Sequence, residues 1–364
     1  MVRIMCRQPG KDRAMAKSYF ERVMSHAPSP DFANLQQVLA KQVPSRPTLF
    51  EFFLNGPLYQ RLAGCNAIEG DLANFRLVCS AFRQAGYDYV TFRPPQFCFP
   101  AGKHEHDQTI SLNDGVVISD RESFEKYQWI EPDECTDYDL LDTVAKWLPE
   151  GMKIVLHCPG GVLENVIRLC GYDNLCFMLV DDPELAKEVF DAIGSRLLRY
   201  VELGSAYDTV GACISNDDWG FKTQPMLSPD DLRTYVFPWH QRIVAAAHAA
   251  GKPGILHSCG NASEIMEDII GPMAFDGKHS FEDAIQPIEE AYDQYKGRVA
   301  LLGGIDVDFV IRAEPDAVYR RSREMLERAA DVGAYALGTG NSVPAYVPDE
   351  NYSAMIWAAL ETRQ

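Results

Sequence analysis

A chain of 364 residues with 46% hydrophobic content can hold one large α/β domain with an extension, or two domains. Its formal net charge of -18 disfavours nucleic acid and anionic membrane surfaces as partners. Apolar runs of about ten residues or fewer are too short to cross a bilayer, and the N-terminus lacks a secretory h-region, so a cytoplasmic enzyme is expected.

Residues 1–45 read as a polar, helical N-terminal extension punctuated by Pro28, Pro30 and Pro44. From Thr48 onward short β-prone runs alternate with amphipathic helical stretches. The runs fall at 48–54, 88–93, 153–158, 209–215, 253–258, 274–279, 299–304 and 334–338. Asp182-Pro183 and Ser228-Pro229 place a capping residue before a first-turn proline, and Gly86, Gly251 and Gly333 follow helices. Eight strands alternating with helices predict a (β/α)8 TIM barrel spanning 46–364 as one domain. An open doubly wound sheet is the alternative, disfavoured because no G-x-G-x-x-G follows the first strand. Residues 94–148 form an insertion after strand two, in which Asn113-Asp114-Gly115 between two β-prone runs reads as a hairpin turn over the barrel mouth.

The ten cysteines are scattered without a C-x-x-C pair, which suits buried free thiols better than a disulfide framework. Cys259 stands apart because of its neighbours, and Cys158, after His157, is a weaker second case.

In such a barrel the site lies at the carboxyl ends of the strands. Polar residues collect there: Asn55, Arg93, His157, Asp217-Asp218-Trp219, His257-Ser258-Cys259, His279 with Glu282 and Asp283, Asp306, and Asn341-Ser342. His257 and Cys259 are two apart, so on a strand both face one side and can reach one ion, with imidazole and thiolate suiting zinc. The third ligand is open among His279, ranked first, Glu282 close behind, Asp217 and Asp218. Asp217, Asp218 and Glu282 are the candidate acid–base groups, though two carboxylates at a strand end also serve as helix caps. Phe52, Asn55, Trp219, Asp306 and Asn341 are the candidate substrate-binding residues. His104-Glu105-His106 looks like a ligand cluster but sits in a polar insertion without strand-end support.

Asp217-Asp218-Trp219-Gly220, Gly251-Lys252-Pro253 through His257-Ser258-Cys259-Gly260-Asn261, Leu301 to Asp306 and Gly338 to Pro344 resemble the uroporphyrinogen decarboxylase superfamily over roughly residues 150–360. That resemblance implies a (β/α)8 barrel and one of two chemistries: cofactor-free porphyrinogen decarboxylation, or zinc-dependent methyl transfer involving corrinoid proteins. Its methyltransferases carry His-x-Cys as zinc ligands after strand five, which His257 and Cys259 match. Its decarboxylases carry an arginine-rich segment near strand one, where this chain has Leu49 to Asn55. Coenzyme M-using members add a cysteine at the end of strand eight, and residues 338–342 contain none.

The expectation is therefore a methyltransferase taking a methyl group from a small donor, such as a methoxylated aromatic undergoing O-demethylation. Zinc would assist, a partner corrinoid protein would accept the methyl group, and a homodimer is a compatible assembly. The alternative is a metal-free decarboxylase of a tetrapyrrole or other carboxylic acid, with Arg93 and Lys278 as the evident basic groups. A third, non-catalytic reading is a corrinoid-protein or ligand-binding subunit.

Overall fold

The computed structural model describes residues 17–65, 72–102 and 111–363. Seven parallel strands run in sequence order through one sheet: β1 (Tyr89–Phe92), β2 (Lys153–His157), β3 (Val210–Asn216), β4 (Gly254–His257), β5 (Gly277–His279), β6 (Ala300–Leu302) and β7 (Tyr335–Ala336). Each falls where a β-prone run was expected. The strands are nearly all buried and rich in Val, Ile and Leu, as a parallel sheet covered on both faces requires.

The first expected strand, 48–54, is reduced to a single parallel bridge, Leu49 with Leu337 beyond β7. Phe50 N–H donates to Leu337 O at 2.8 Å and Leu337 N–H donates to Thr48 O at 2.8 Å. On its other side the segment meets β1 through side chains. The Tyr89 hydroxyl accepts from Glu51 N–H at 2.7 Å and Thr91 Oγ1 donates to Phe52 O at 3.1 Å. The two edge strands of a curled sheet thus contact one segment, with a phenol and a hydroxyl where ladder bonds would stand.

The long helix Pro183–Ser205 starts as expected, the Asp182 carboxylate accepting from Leu185 N–H. Two helices lie where none was expected, Val162–Cys170 and Tyr172–Asp181.

The described part of the N-terminal extension packs tightly. Phe32 and Leu39, flanking and ending the helix Ala33–Leu39, fill the room left at Gly211 and Gly277, near the amino ends of β3 and β5. A Cβ at either glycine would lie 2.5 Å from Phe32 or 2.7 Å from Leu39. The helix Tyr19–Ser25 is tied to the last helix, because Glu350 accepts from the amides of Tyr19 and Phe20 at 2.6 and 3.0 Å.

The expected hairpin is corrected. Among the described residues of 94–148 there is no strand, only short helical turns such as Arg121–Lys126. The amides of Val117 and Ile118 both donate to Leu169 O, at 2.8 and 3.0 Å, so the apolar run lies across the end of the helix Val162–Cys170 instead of pairing with another strand. His104, Glu105 and His106 lie outside the described residues.

Candidate metal and active site

Parallel register sets the site. His257 at the end of β4 pairs with Asn216 of β3 and His279 of β5, which aligns three polar strand ends. Beyond them the β3 and β4 loops press together: a Cβ on Gly260 would meet Gly220 O at 2.0 Å, and its φ is +82°. Only glycine tolerates both the approach and the left-handed backbone. That crossing lets Asp218 Oδ1 accept from Cys259 N–H at 2.8 Å.

Asp218, His257 and Cys259 are brought together, with one ligand-capable atom from each within 4.8 Å of the others. His257 Nε2 is 3.6 Å from Cys259 Sγ. The other ring nitrogen, Nδ1, meets His279 Nδ1 at 2.7 Å, and His279 Nε2 is 3.3 Å from Thr339 O. A carbonyl only accepts, so His279 carries its proton on Nε2 and its Nδ1 accepts from His257. The Nε2 lone pair of His257 is then left facing Cys259. Burial keeps His257 neutral, pushed down to about 4, with Lys278 adding to the effect and Asp218 opposing it. His279 lies well below the ordinary histidine range, through burial and then the neighbouring His257.

The structure does not bring His279 into this cluster: both its nitrogens have partners, and the third group that could hold an ion is Asp218. The sulfur is also prepared. Asn341 Nδ2 donates to Cys259 Sγ at 3.2 Å and Ser280 Oγ donates to it at 3.5 Å. Without a metal, burial and the Asp218 charge push the thiol up to about 12. The nitrogen, sulfur and carboxylate set, with a second imidazole orienting the first, fits zinc.

Asp217 does not join this cluster. It is fully buried at the amino end of the helix Val162–Cys170, with both oxygens occupied. Oδ2 accepts from the amides of Val162 and Leu163 at 3.0 Å each and lies 2.8 Å from His240 Nε2, while Oδ1 accepts from Glu164 N–H at 2.9 Å. It caps a helix, held there by four polar contacts and shut away from solvent. Gly161 makes room for it, since a Cβ there would lie 2.1 Å from the carboxylate.

The expected substrate residues divide. Asn341 reaches the site sulfur, and Phe52 packs on His257 with ring centroids 4.9 Å apart. Three others have partners within the fold, Asp306 also lining the larger cavity. Asn55 caps the helix Gly56–Ala63 and bonds Pro344 O at 3.1 Å. Asp306 caps Val307–Arg312 and accepts from Asp283 N–H at 2.9 Å. Trp219 is fully buried against Phe237 and His240. Glu282 stands half-buried at the rim of two cavities of about 240 and 880 Å³.

Some functional groups escaped the sequence reading. Glu51 is fully buried and faces Thr339: Oε1 accepts the amide at 2.6 Å and Oε2 lies 2.8 Å from Oγ1. Oγ1 is also 2.5 Å from Asn341 O. The threonine has one hydroxyl proton, and a carbonyl can only accept it, so the contact with Oε2 requires a proton on Glu51. Burial pushes this carboxyl up to about 8 in accord, although the two Thr339 bonds oppose the shift. A neutral acid thus holds Thr339 and, through it, the Asn341 loop against Cys259. Lys278, placed in the sequence only as a basic group, is buried, held by Ser280 O at 2.7 Å and pushed down to about 8 by burial. Glu164, beside Asp217 and Asp218, is raised to about 8 by burial and then by those charges. A Glu inside a β-prone run was the available signal for Glu51. No signal marked Glu164, because its helix was not foreseen.

A parallel α/β sheet with buried polar groups gathered at the carboxyl ends of its strands defines a TIM-barrel-like protein with an enzyme-type site. The chain belongs to the uroporphyrinogen decarboxylase (URO-D) family, whose model matches residues 136–362. It is 27% identical over 196 residues to the methylated-thiol–coenzyme M methyltransferase of Methanosarcina mazei, covering 54% of this chain and 50% of that one. It is 25% identical over 186 residues to the uroporphyrinogen decarboxylase of Anaeromyxobacter dehalogenans, covering 51% of each. The chain therefore spans about half the length of the curated relatives it matches. A solved structure, a methyltransferase from Methanosarcina mazei, superposes with a TM-score of 0.65 over 91% of this chain and 98% of that one at 15% identity, a likeness of fold. Among the described residues no helix is long and apolar enough to cross a membrane.

Proposed function

We propose that this chain is a zinc-dependent methyltransferase that passes a methyl group from a small donor, such as a methoxylated aromatic, to the corrinoid of a partner protein in the cytoplasm. The observation that carries this reading is the Asp218–His257–Cys259 cluster, with all three donor atoms within 4.8 Å. The similarity to a methanogen methyltransferase supports it. Bound zinc would supply Lewis acidity toward the heteroatom that gives up the methyl group.

The chain's own residues do the rest. His279 fixes the tautomer of His257, and Asn341 and Ser280 stabilise negative charge on the Cys259 sulfur. Phe52 walls off one side of His257 from water. The departing heteroatom needs a proton, and Glu282, half-buried in the lining of a cavity and with no cation within ion-pair distance among the described residues, is the carboxyl we assign to that role.

A metal-free decarboxylase is the second reading, favoured by the family match and the Anaeromyxobacter relative. Asp217 does not serve it, because that carboxylate is closed off by a helix end. Zinc content of the purified protein and of Cys259→Ala tests the choice. About one zinc per chain, lost in the variant, is expected. Equal, near-zero metal in both would remove the methyl-transfer mechanism.

A further inference from the structure

A cavity of about 530 Å³ opens where β1 ends, beside the helices Gly56–Ala63 and Ala73–Gln84. That size suits a one-ring molecule, since small-molecule pockets run from roughly 300 to 1,000 Å³. Its walls are largely apolar, with Phe53, Phe75, Phe92 and Leu140 prominent, and two nitrogen-bearing side chains that can carry charge reach it, Arg93 and His157.

Arg93 is unusual for so acidic a chain, with 52 Asp and Glu. Elsewhere arginines gather acids: Arg321 holds Asp283 and Glu289, and Arg199 holds Asp133 and Glu202. Arg93 holds none within 4.0 Å among the described residues. Among the described residues its guanidinium bonds only through Nη1, weakly, to the carbonyls of Pro94 and Phe97 at 3.4 and 3.3 Å. The fork that matches a carboxylate is left open. His157 does not compete for an anion. Its Nδ1 donates to Cys158 O at 3.2 Å, and burial together with the Arg93 charge holds the ring neutral. Two rings in series link the cavity to the candidate metal cluster: Phe53 of its wall stacks on Phe52 at 3.9 Å, and Phe52 lies 4.9 Å from His257.

We propose that this cavity binds a carboxylated aromatic molecule, its ring against Phe53, Phe75 and Phe92 and its carboxylate on Arg93. Its role as methyl donor rests on the methyl-transfer reading; its binding does not.

Isothermal titration calorimetry of the full chain with p-methoxybenzoate and with neutral p-methoxybenzyl alcohol tests the proposal. The acid is expected to bind at least about tenfold more tightly, as a charge-assisted pair should. Arg93→Met is expected to abolish that preference while leaving the alcohol's Kd within about twofold, which also certifies the fold of the variant; Arg93→Lys keeps part of it. Equal affinities for acid and alcohol in the wild type, or an undiminished preference in Arg93→Met, overturn the proposal. Should Arg93→Met fail to fold, the wild-type preference for p-methoxybenzoate over both the alcohol and acetate decides alone: loss of either preference overturns the site. The same titration on metal-free Cys259→Ala separates the two readings. Arg93-dependent binding without demethylation by the zinc-loaded wild type, supplied with a reduced corrinoid acceptor, sinks the functional reading and leaves the cavity assignment standing.

Discussion

The imidazoles of His257 and His279 meet Nδ1 to Nδ1 at 2.7 Å. They stand side by side because β4 and β5 place them in register. On the proposed metal site, the contact would make one imidazole a ligand and the other its orienting partner. His279→Ala should therefore lower metal affinity by about 10–100-fold without abolishing it. Competition with a chelator measures this. Complete loss of metal, as for a ligand, would return His279 to the coordination sphere.

The adjacent aspartates should separate cleanly. Asp218→Asn is expected to lose metal and activity with little change in stability. Asp217→Ala should instead destabilise by about 2–4 kcal/mol, since it leaves two buried amides, a part-buried one and His240 without their acceptor. Denaturant titration alongside zinc analysis of both variants checks the division. Similar metal loss in both, at unchanged stability, would contradict it.

Glu51 is read as a neutral acid donating to Thr339. Glu51→Gln keeps a donor and an acceptor and should retain metal and most activity. Glu51→Ala should lose about 2–4 kcal/mol and loosen Asn341 from Cys259. An infrared carbonyl band of a protonated carboxyl, present in wild type and missing in Glu51→Gln, would report the proton directly. Its absence from wild type counts against the hydrogen count.

The same group sets a pH dependence. Its folded value, about 8, lies above the ordinary 4.5. Between those values the folded state binds more protons than the unfolded chain, so this contribution falls as pH rises and is gone above about 8. The wild type should therefore lose stability relative to Glu51→Gln between about pH 5 and about pH 9, by paired urea titrations. A difference that does not move with pH would refute the shift.

His157 gives the opposite limb. Burial, then Arg93, pushes it down to about 3, so the unfolded chain binds the extra proton between about 3 and the ordinary 6.5. Its contribution is full above about 6.5 and is lost as pH falls toward 3. His157→Gln should flatten the acid limb of the stability curve, and an unchanged limb would show that His157 is protonated in the fold.

The sequence by itself determined the alternation of strands and helices and the place of all seven strands, because buried parallel strands write apolar runs and helix ends write caps and glycines. It counted an eighth strand at 48–54, however, and missed the helices Val162–Cys170 and Tyr172–Asp181. It also marked His257 and Cys259 as a pair, although β4 ends at His257 and the loop beyond the strand is what brings Cys259 beside it. What it left open was decided by contacts between segments distant in the chain. Asp217 and Asp218 are neighbours of identical chemistry, yet one meets the helix end at Val162 and the other meets Cys259 N–H, 41 residues on. His279 ranked first as third ligand, ahead of Glu282 and the two aspartates, but parallel register pairs its ring with His257, while the Gly220–Gly260 crossing brings Asp218 to Cys259. Glu51 looked like a stray charge in a strand until a threonine 288 residues away gave it a partner and a proton. Local pattern reports burial and direction. Which lone pair remains free is a property of neighbours that only the folded chain supplies.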